Sequence, residues 1–128
     1  MAQGIARIGR DGYRTEIDVG GHALLSDEPA RRGGVGAGPA PYELLLAGLG
    51  ACTAITLRMY ADRKQWPLES LEVGLHMLND GEGILVERVL TASGALDAVQ
   101  KARLVEIAEK TPVTLTLKTG MRITTSVV

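Results

Sequence analysis

PAPYELLLAGLGACTAITLRMYADRKQWP, residues 39–67, is the stretch whose reading decides the fold. From Leu44 to Leu57 it carries no charge, and leucine and alanine dominate it, so it predicts a long helix buried on most sides. Pro39 and Pro41 stand at its start, where a missing backbone donor costs nothing, and Pro67 stops it after about Gln65. The uncharged run is shorter than the roughly 18 residues a membrane span needs, and Arg58, Asp62, Arg63 and Lys64 follow at once. The wrapping is therefore expected to be protein, with no membrane partner. The chain's one cysteine, Cys52, lies inside this helix.

Upstream, apolar runs alternate with turn signals. Ile5 to Ile8, Tyr13 to Val19 and His22 to Ser26 are separated by Gly9-Arg10-Asp11-Gly12 and by Gly20-Gly21, which reads as two or three antiparallel strands. The segment DEPARRGGVGAG, residues 27–38, is a glycine-rich loop leading into the helix. Downstream, Leu68 to Met77 alternates at period two, Asn79 to Gly83 turns, and Ile84 to Ala92 returns as a second strand. Asp97 to Lys110 places Ala98, Ala102, Val105 and Ala108 at helical spacing and predicts a second, amphipathic helix. Thr111-Pro112-Val113-Thr114 reads as a fresh N-cap and first turn, and Met121 to Val128 as a final strand. The class is α+β: antiparallel sheets around a long central helix and a second amphipathic one. A length of 128 residues suits one domain over 1–128, and so apolar a helix calls for a second subunit to complete its burial.

Composition excludes several functions. With a net charge of −1 and scattered lysines and arginines, nucleic acid is not an expected partner. Phenylalanine is absent and aromatics make up 3% of residues, which leaves no stacking platform for bases or sugars. One cysteine allows no internal disulfide, and no charged-then-apolar leader opens the chain, so a reducing cytoplasm is expected. Neither a metal nor a cofactor is implied, because His22, His76 and Cys52 have no ligand spacing. The GGVGAG of residues 33–38 precedes a helix but lacks the lysine and serine of a phosphate-binding loop. No nucleophile elbow supports hydrolysis.

On composition alone Cys52 reads either as a small buried hydrophobe or as a reactive thiol that needs a cation to hold its thiolate. Local sequence supplies no such cation, and Arg10, Arg31 and Arg32 in the preceding turns and loop are the candidates.

The combination of Pro-x-Glu-Leu-Leu-Leu, Gly-Ala-Cys-Thr-Ala, Leu-Arg-Met-Tyr-Ala and Trp-Pro-Leu-Glu becomes specific. With the Gly-Arg-Asp-Gly turn, Gly20-Gly21-His22, Asp27-Glu28-Pro29 and Glu106-Ile107-Ala108-Glu109-Lys110-x-Pro112-Val113, it resembles the osmotically inducible protein C and organic hydroperoxide resistance (OsmC/Ohr) family, in its OsmC-like redox protein branch. The resemblance implies an intertwined homodimer with two sites at the interface and thiol-dependent reduction of organic hydroperoxides and hydrogen peroxide. Cys52 would be the peroxidatic residue, Arg10 would stabilise its thiolate, Tyr42, Arg31 and Arg32 would line the pocket, and an external thiol, such as a lipoyl dithiol, would reset the enzyme.

Two positions depart from that pattern. The family's second cysteine stands in Cys-Pro-x-His, where this chain has Thr111-Pro112-Val113-Thr114. A hydroxyl forms no disulfide, so the expected activity is one-cysteine or impaired. The family's interacting glutamate lies ten residues before the cysteine, where this chain has Tyr42. Glu43, nine before, falls on the opposite side of a helix turning about 100° per residue, where it suits the positive helix start. The alternative reading is a non-catalytic dimer that binds a small apolar or electrophilic ligand in the interface pocket.

Overall fold

A computed structural model describes all 128 residues. The chain forms two compact units, residues 1–45 and 46–128.

The first unit is a three-stranded antiparallel sheet in the order β1 (Gly4–Arg7), β2 (Thr15–Val19), β3 (His22–Ser26). Thr15, Ile17 and Val19 turn to one face while Glu16 and Asp18 turn to the other, which is the pleat read from a period of two. Gly20 and Gly21 close the β2–β3 hairpin with φ of 58° and 81°, the pair of positive values a two-residue turn demands. Beyond β3, a single turn of 3-10 helix at Ala30–Arg32 leads through the glycine-rich loop. Asp27, 3% exposed, holds that loop. Its carboxylate accepts from the backbone N–H of Glu28 at 2.8 Å, Val35 at 3.2 Å and Ala37 at 3.0 Å. The donors a phosphate would use at this loop are thus taken by the chain's own carboxylate.

Those bonds hold the Asp27 carboxyl below its ordinary range, the Ala37 N–H contributing most, against burial, which raises it. A depressed folded pKa contributes stability above the unfolded value of about 3.9, and that contribution is lost as pH falls through the folded one. Asp27→Asn should therefore be less stable than wild type at neutral pH, with the gap closing in acid. Urea unfolding at a series of pH values checks this, and a gap independent of pH would refute it.

Helix α1 (Pro41–Arg63) begins in the first unit and continues into the second, which also contains β4 (Leu68–Asn79), β5 (Ile84–Gly94), α2 (Ala98–Ala108) and α3 (Pro112–Thr119). β4 and β5 form a long antiparallel hairpin, with Leu75 opposite Arg88 and Met77 opposite Val86. Its turn is built by Asn79 and Asp80, whose side chains accept from the N–H of Gly81 and Glu82. Leu71, Val73, Leu75 and Met77 alternate inward from β4, as do Val86, Arg88, Leu90 and Ala92 from β5. Leu57 of α1 and Leu104 and Ala108 of α2 make the core, packed by Tyr60, Trp66, Leu71, Leu90 and Ile107. At Gly94, with φ of 121°, a Cβ would stand 2.0 Å from the Pro67 carbonyl oxygen, so only glycine lets β5 end against the start of β4. α2 opens on a reciprocal capping box between Asp97 and Gln100.

Three expectations change. Residues 121–128 form no strand and lie exposed, because no strand within the chain lends them a ladder partner. The turn at Thr111 continues into a full third helix, α3. The central helix is not buried on most sides of the single chain: Leu49, Thr53, Leu57 and Ala61, four apart, form its one buried stripe. By length and composition α1 also passes for a membrane span, though Leu57 of that stripe packs into the core with Leu104 and Ala108.

Candidate functional site

Cys52 stands at mid-helix on α1, half buried. Its Sγ lies 4.0 Å from the Thr56 hydroxyl one turn on, a weak contact. The open side of the helix runs through Gly48, Cys52, Ile55 and Met59, the three-and-four spacing of one helical face. Ile55 is 55% and Met59 61% exposed, and a side chain at Gly48 would meet nothing. The thiol therefore sits in the middle of an apolar stripe that this single chain leaves open.

A buried polar cluster joins four elements, meeting α1 at Thr53, the residue after Cys52. Arg88, whose side chain is 11% exposed, enters from the inward face of β5. Its Nη1 donates to the hydroxyls of Thr53 on α1 at 3.0 Å and Thr114 on α3 at 2.9 Å, and its Nη2 donates to the Ala108 carbonyl closing α2 at 2.9 Å. Thr53 in turn donates to Leu49 O, and Thr114 lies 2.6 Å from the Thr111 hydroxyl. Glu109 lies 3.8 Å from Arg88 Nη2 and 2.5 Å from Lys118 Nζ. The Lys118 hydrogen bond holds the Glu109 carboxyl below its ordinary value, with help from the charges of Lys118 and Arg88 and against burial.

Thr111 is fully buried, and it takes the N-cap position of α3 without a side-chain cap bond: its hydroxyl turns to Thr114 instead of to the helix amides. The side-chain cap expected of it is not made; its carbonyl accepts the first bond of the helix, from Leu115 N–H. Glu43 does serve a helix start, its carboxylate accepting from Ala40 N–H at 2.8 Å. Arg10 lies exposed in the β1–β2 turn and Arg31 in the 3-10 turn, neither in an ion pair, while Arg32 pairs with Glu28 at 3.1 Å. Tyr42 is exposed at the first turn of α1. Arg10, Arg31, Arg32, Tyr42 and Glu43 belong to the first unit and Cys52 and Thr111 to the second. His76 faces Glu87 across the β4–β5 ladder at 3.7 Å on the exposed face, and no group of histidine, cysteine, aspartate or glutamate is arranged to hold a metal.

Arg88, Thr53 and Thr114 are the residues sequence reasoning missed. The available signal was the alternation of β5, which puts Arg88 on the same face as Val86 and Leu90. An arginine on an apolar face needs internal partners.

An α+β chain with one thiol on a long central helix, and a buried arginine tying that helix to two others, is the class these observations define. The family described as OsmC-like protein matches residues 34–126, and the chain belongs to it. No curated protein sequence matches the chain. Among solved structures, the fold is similar to an OsmC-like protein from Mycoplasma pneumoniae, at 16% identity and TM-score 0.78 over 92% of this chain and 87% of that one. It is similar also to an organic hydroperoxide resistance protein OsmC from Legionella pneumophila, at 23% identity and TM-score 0.66 over 92% and 89%. The organic hydroperoxide resistance protein OhrB of Bacillus subtilis aligns at 24% identity and TM-score 0.59 over 91% and 90%.

Proposed function

We propose that the chain acts as one OsmC-like domain in a cytoplasmic homodimer that reduces organic hydroperoxides and hydrogen peroxide through Cys52, in defence against oxidative stress. The observation that carries this reading is the placement of the chain's one thiol, half buried on the open apolar stripe of α1, in a member of this family. The Cys52 thiolate attacks the O–O bond. The distal oxygen goes to sulfur, the other leaves as alcohol or water on taking up a proton, and the cysteine becomes a sulfenic acid. One external thiol condenses with the sulfenic acid and expels water; a second thiol, or the other arm of a lipoyl dithiol, then reduces the mixed disulfide and restores Cys52. Arg10 supplies the cation for the thiolate, and Tyr42, Arg31 and Arg32 line the pocket at the subunit interface. Glu43 is assigned to the helix start.

Dimedone trapping tests the first step. After one equivalent of organic hydroperoxide, mass spectrometry should find the adduct on the peptide carrying Cys52, and its absence would favour the second reading, a non-catalytic dimer that binds a small apolar or electrophilic ligand in the interface pocket. That reading draws on the fully buried hydroxyl of Thr111, which provides no resolving thiol.

Two substitutions probe the dimer and the missing thiol. Ile55→Asp puts a charge into the stripe that the second subunit covers, and should weaken the dimer about 100-fold, or about 2.7 kcal/mol, measured by analytical ultracentrifugation. Thr111→Cys places a thiol where relatives of this family resolve the sulfenic acid, and should raise dithiol-dependent turnover about tenfold, or roughly 1.4 kcal/mol of barrier. No gain would show that more than the resolving thiol is missing.

A further inference from the structure

A cleft of about 490 Å³ opens beside the buried arginine, between the start of β5 and α3. Leu49, Ile84, Leu85, Val86 and Leu117 form its walls, and Arg88 and Lys118 bring positive charge to it. Cys52 is not among the residues that line it.

Two features give the cleft a chemistry. The first is the donor inventory of Arg88. Nη1 gives both hydrogens to Thr53 and Thr114, and Nη2 gives one to Ala108 O. Nε–H and the second Nη2–H make no hydrogen bond within the protein, because the Glu109 oxygen at 3.8 Å lies beyond reach. The second is charge. Two cations, Arg88 and Lys118, share one carboxylate, Glu109, so the cleft has a net positive charge. Two parallel N–H groups of one guanidinium match the two oxygens of a carboxylate, and apolar walls suit an aliphatic tail attached to it.

We propose that this cleft binds a small aliphatic monocarboxylate, its head on the free edge of Arg88 beside Lys118 and its tail against Leu49, Val86 and Leu117. Cys52 does not line the cleft, so the proposal is tested by binding alone, without recourse to the peroxide reading. A free guanidinium edge distinguishes it from a plain apolar groove, which would take an alcohol equally well.

Nuclear magnetic resonance titration of the full chain with acetate, butyrate, hexanoate and octanoate tests it. Saturable amide shifts are expected at Val86, Arg88 and Leu117, tightening about fourfold per buried methylene. Octanol should bind at least tenfold more weakly than octanoate. Leu117→Asp, at a rim position 42% exposed, should keep the fold and weaken octanoate at least tenfold. Arg88→Gln should abolish the preference for the carboxylate, and where it fails to fold the Leu117→Asp variant still decides. Cys52→Ser should bind octanoate unchanged, which separates this site from the peroxide reading. Equal affinity for octanol, shifts confined to other elements, indifference to Leu117→Asp, or no saturable shift because a second copy of the chain closes the cleft would each overturn the proposal.

Discussion

Arg88→Ala should cost about 3–4 kcal/mol of stability and lower the melting temperature by roughly 10–15 °C. The side chain is 11% exposed and donates to three acceptors on three different helices, Thr53 of α1, Ala108 of α2 and Thr114 of α3. Each such charge-assisted bond in a shielded site outweighs a neutral one. The Ala108 carbonyl lies in the last turn of α2, where a cation also meets the negative end of the helix dipole. Truncation removes all of this at once and leaves a void the length of an arginine stem behind β5. The loss is bounded because Thr53 still donates to Leu49 O, and Thr114 can still reach Ala108 O at 3.2 Å. Arg88→Met, which fills the void without the donors, should recover about half. Glu109→Gln should change stability by less than about 1 kcal/mol, since its carboxylate is half exposed and screened by water. Urea unfolding followed by circular dichroism measures all three. An Arg88→Ala cost under about 1 kcal/mol would show that the cluster is passive.

The same cluster marks where the sequence ceased to be readable. Periodicity placed α1, the β4–β5 hairpin and α2 to within a few residues, because each is dictated by which side chains must leave water along one local element. The helix start at Thr111 was readable for the same reason, though not the turn of its hydroxyl away from the helix amides. The strand expected at residues 121–128 failed on a non-local condition: Ile123 and the terminal valines favour a strand, but a strand exists only where another edge completes its ladder. Burial of α1 failed likewise, since Ile55 and Met59 have the composition of core and the exposure of surface.

At the candidate site, Cys52 stood out because it is the only thiol and carries the family's local motif. Glu43 at the helix start followed from its place in the first turn, where a carboxylate suits the positive end, and its bond to Ala40 N–H fits that reading. Arg88 did not stand out, because its partners lie 35, 20 and 26 residues away and nothing local announces three distant acceptors. By sequence alone, the hydroxyls at Thr111 and Thr114 are what remains when a thiol and an imidazole are absent. In the fold they are part of a hydrogen-bonded arrangement with Arg88, so the region is built and held, not vacated.

Cys52→Ser should reduce hydroperoxide turnover to the rate without protein while leaving stability within about 0.5 kcal/mol of wild type. Both halves follow from the position. The side chain is half buried, and its one polar contact is a 4.0 Å approach to the Thr56 hydroxyl, which a serine replaces without strain or cavity. Serine oxygen, in contrast, is neither an effective nucleophile toward an O–O bond nor able to store the transferred oxygen as a reducible acid, so no second step can exist. The chain has no other thiol to substitute for it. The comparison with Thr111→Cys is then diagnostic. The double variant, Thr111→Cys with Cys52→Ser, has a thiol at the wrong position and should be as inactive as Cys52→Ser alone. A stopped assay with an organic hydroperoxide and a dithiol reads all of these. Equal turnover by wild type and Cys52→Ser would remove peroxide chemistry from Cys52.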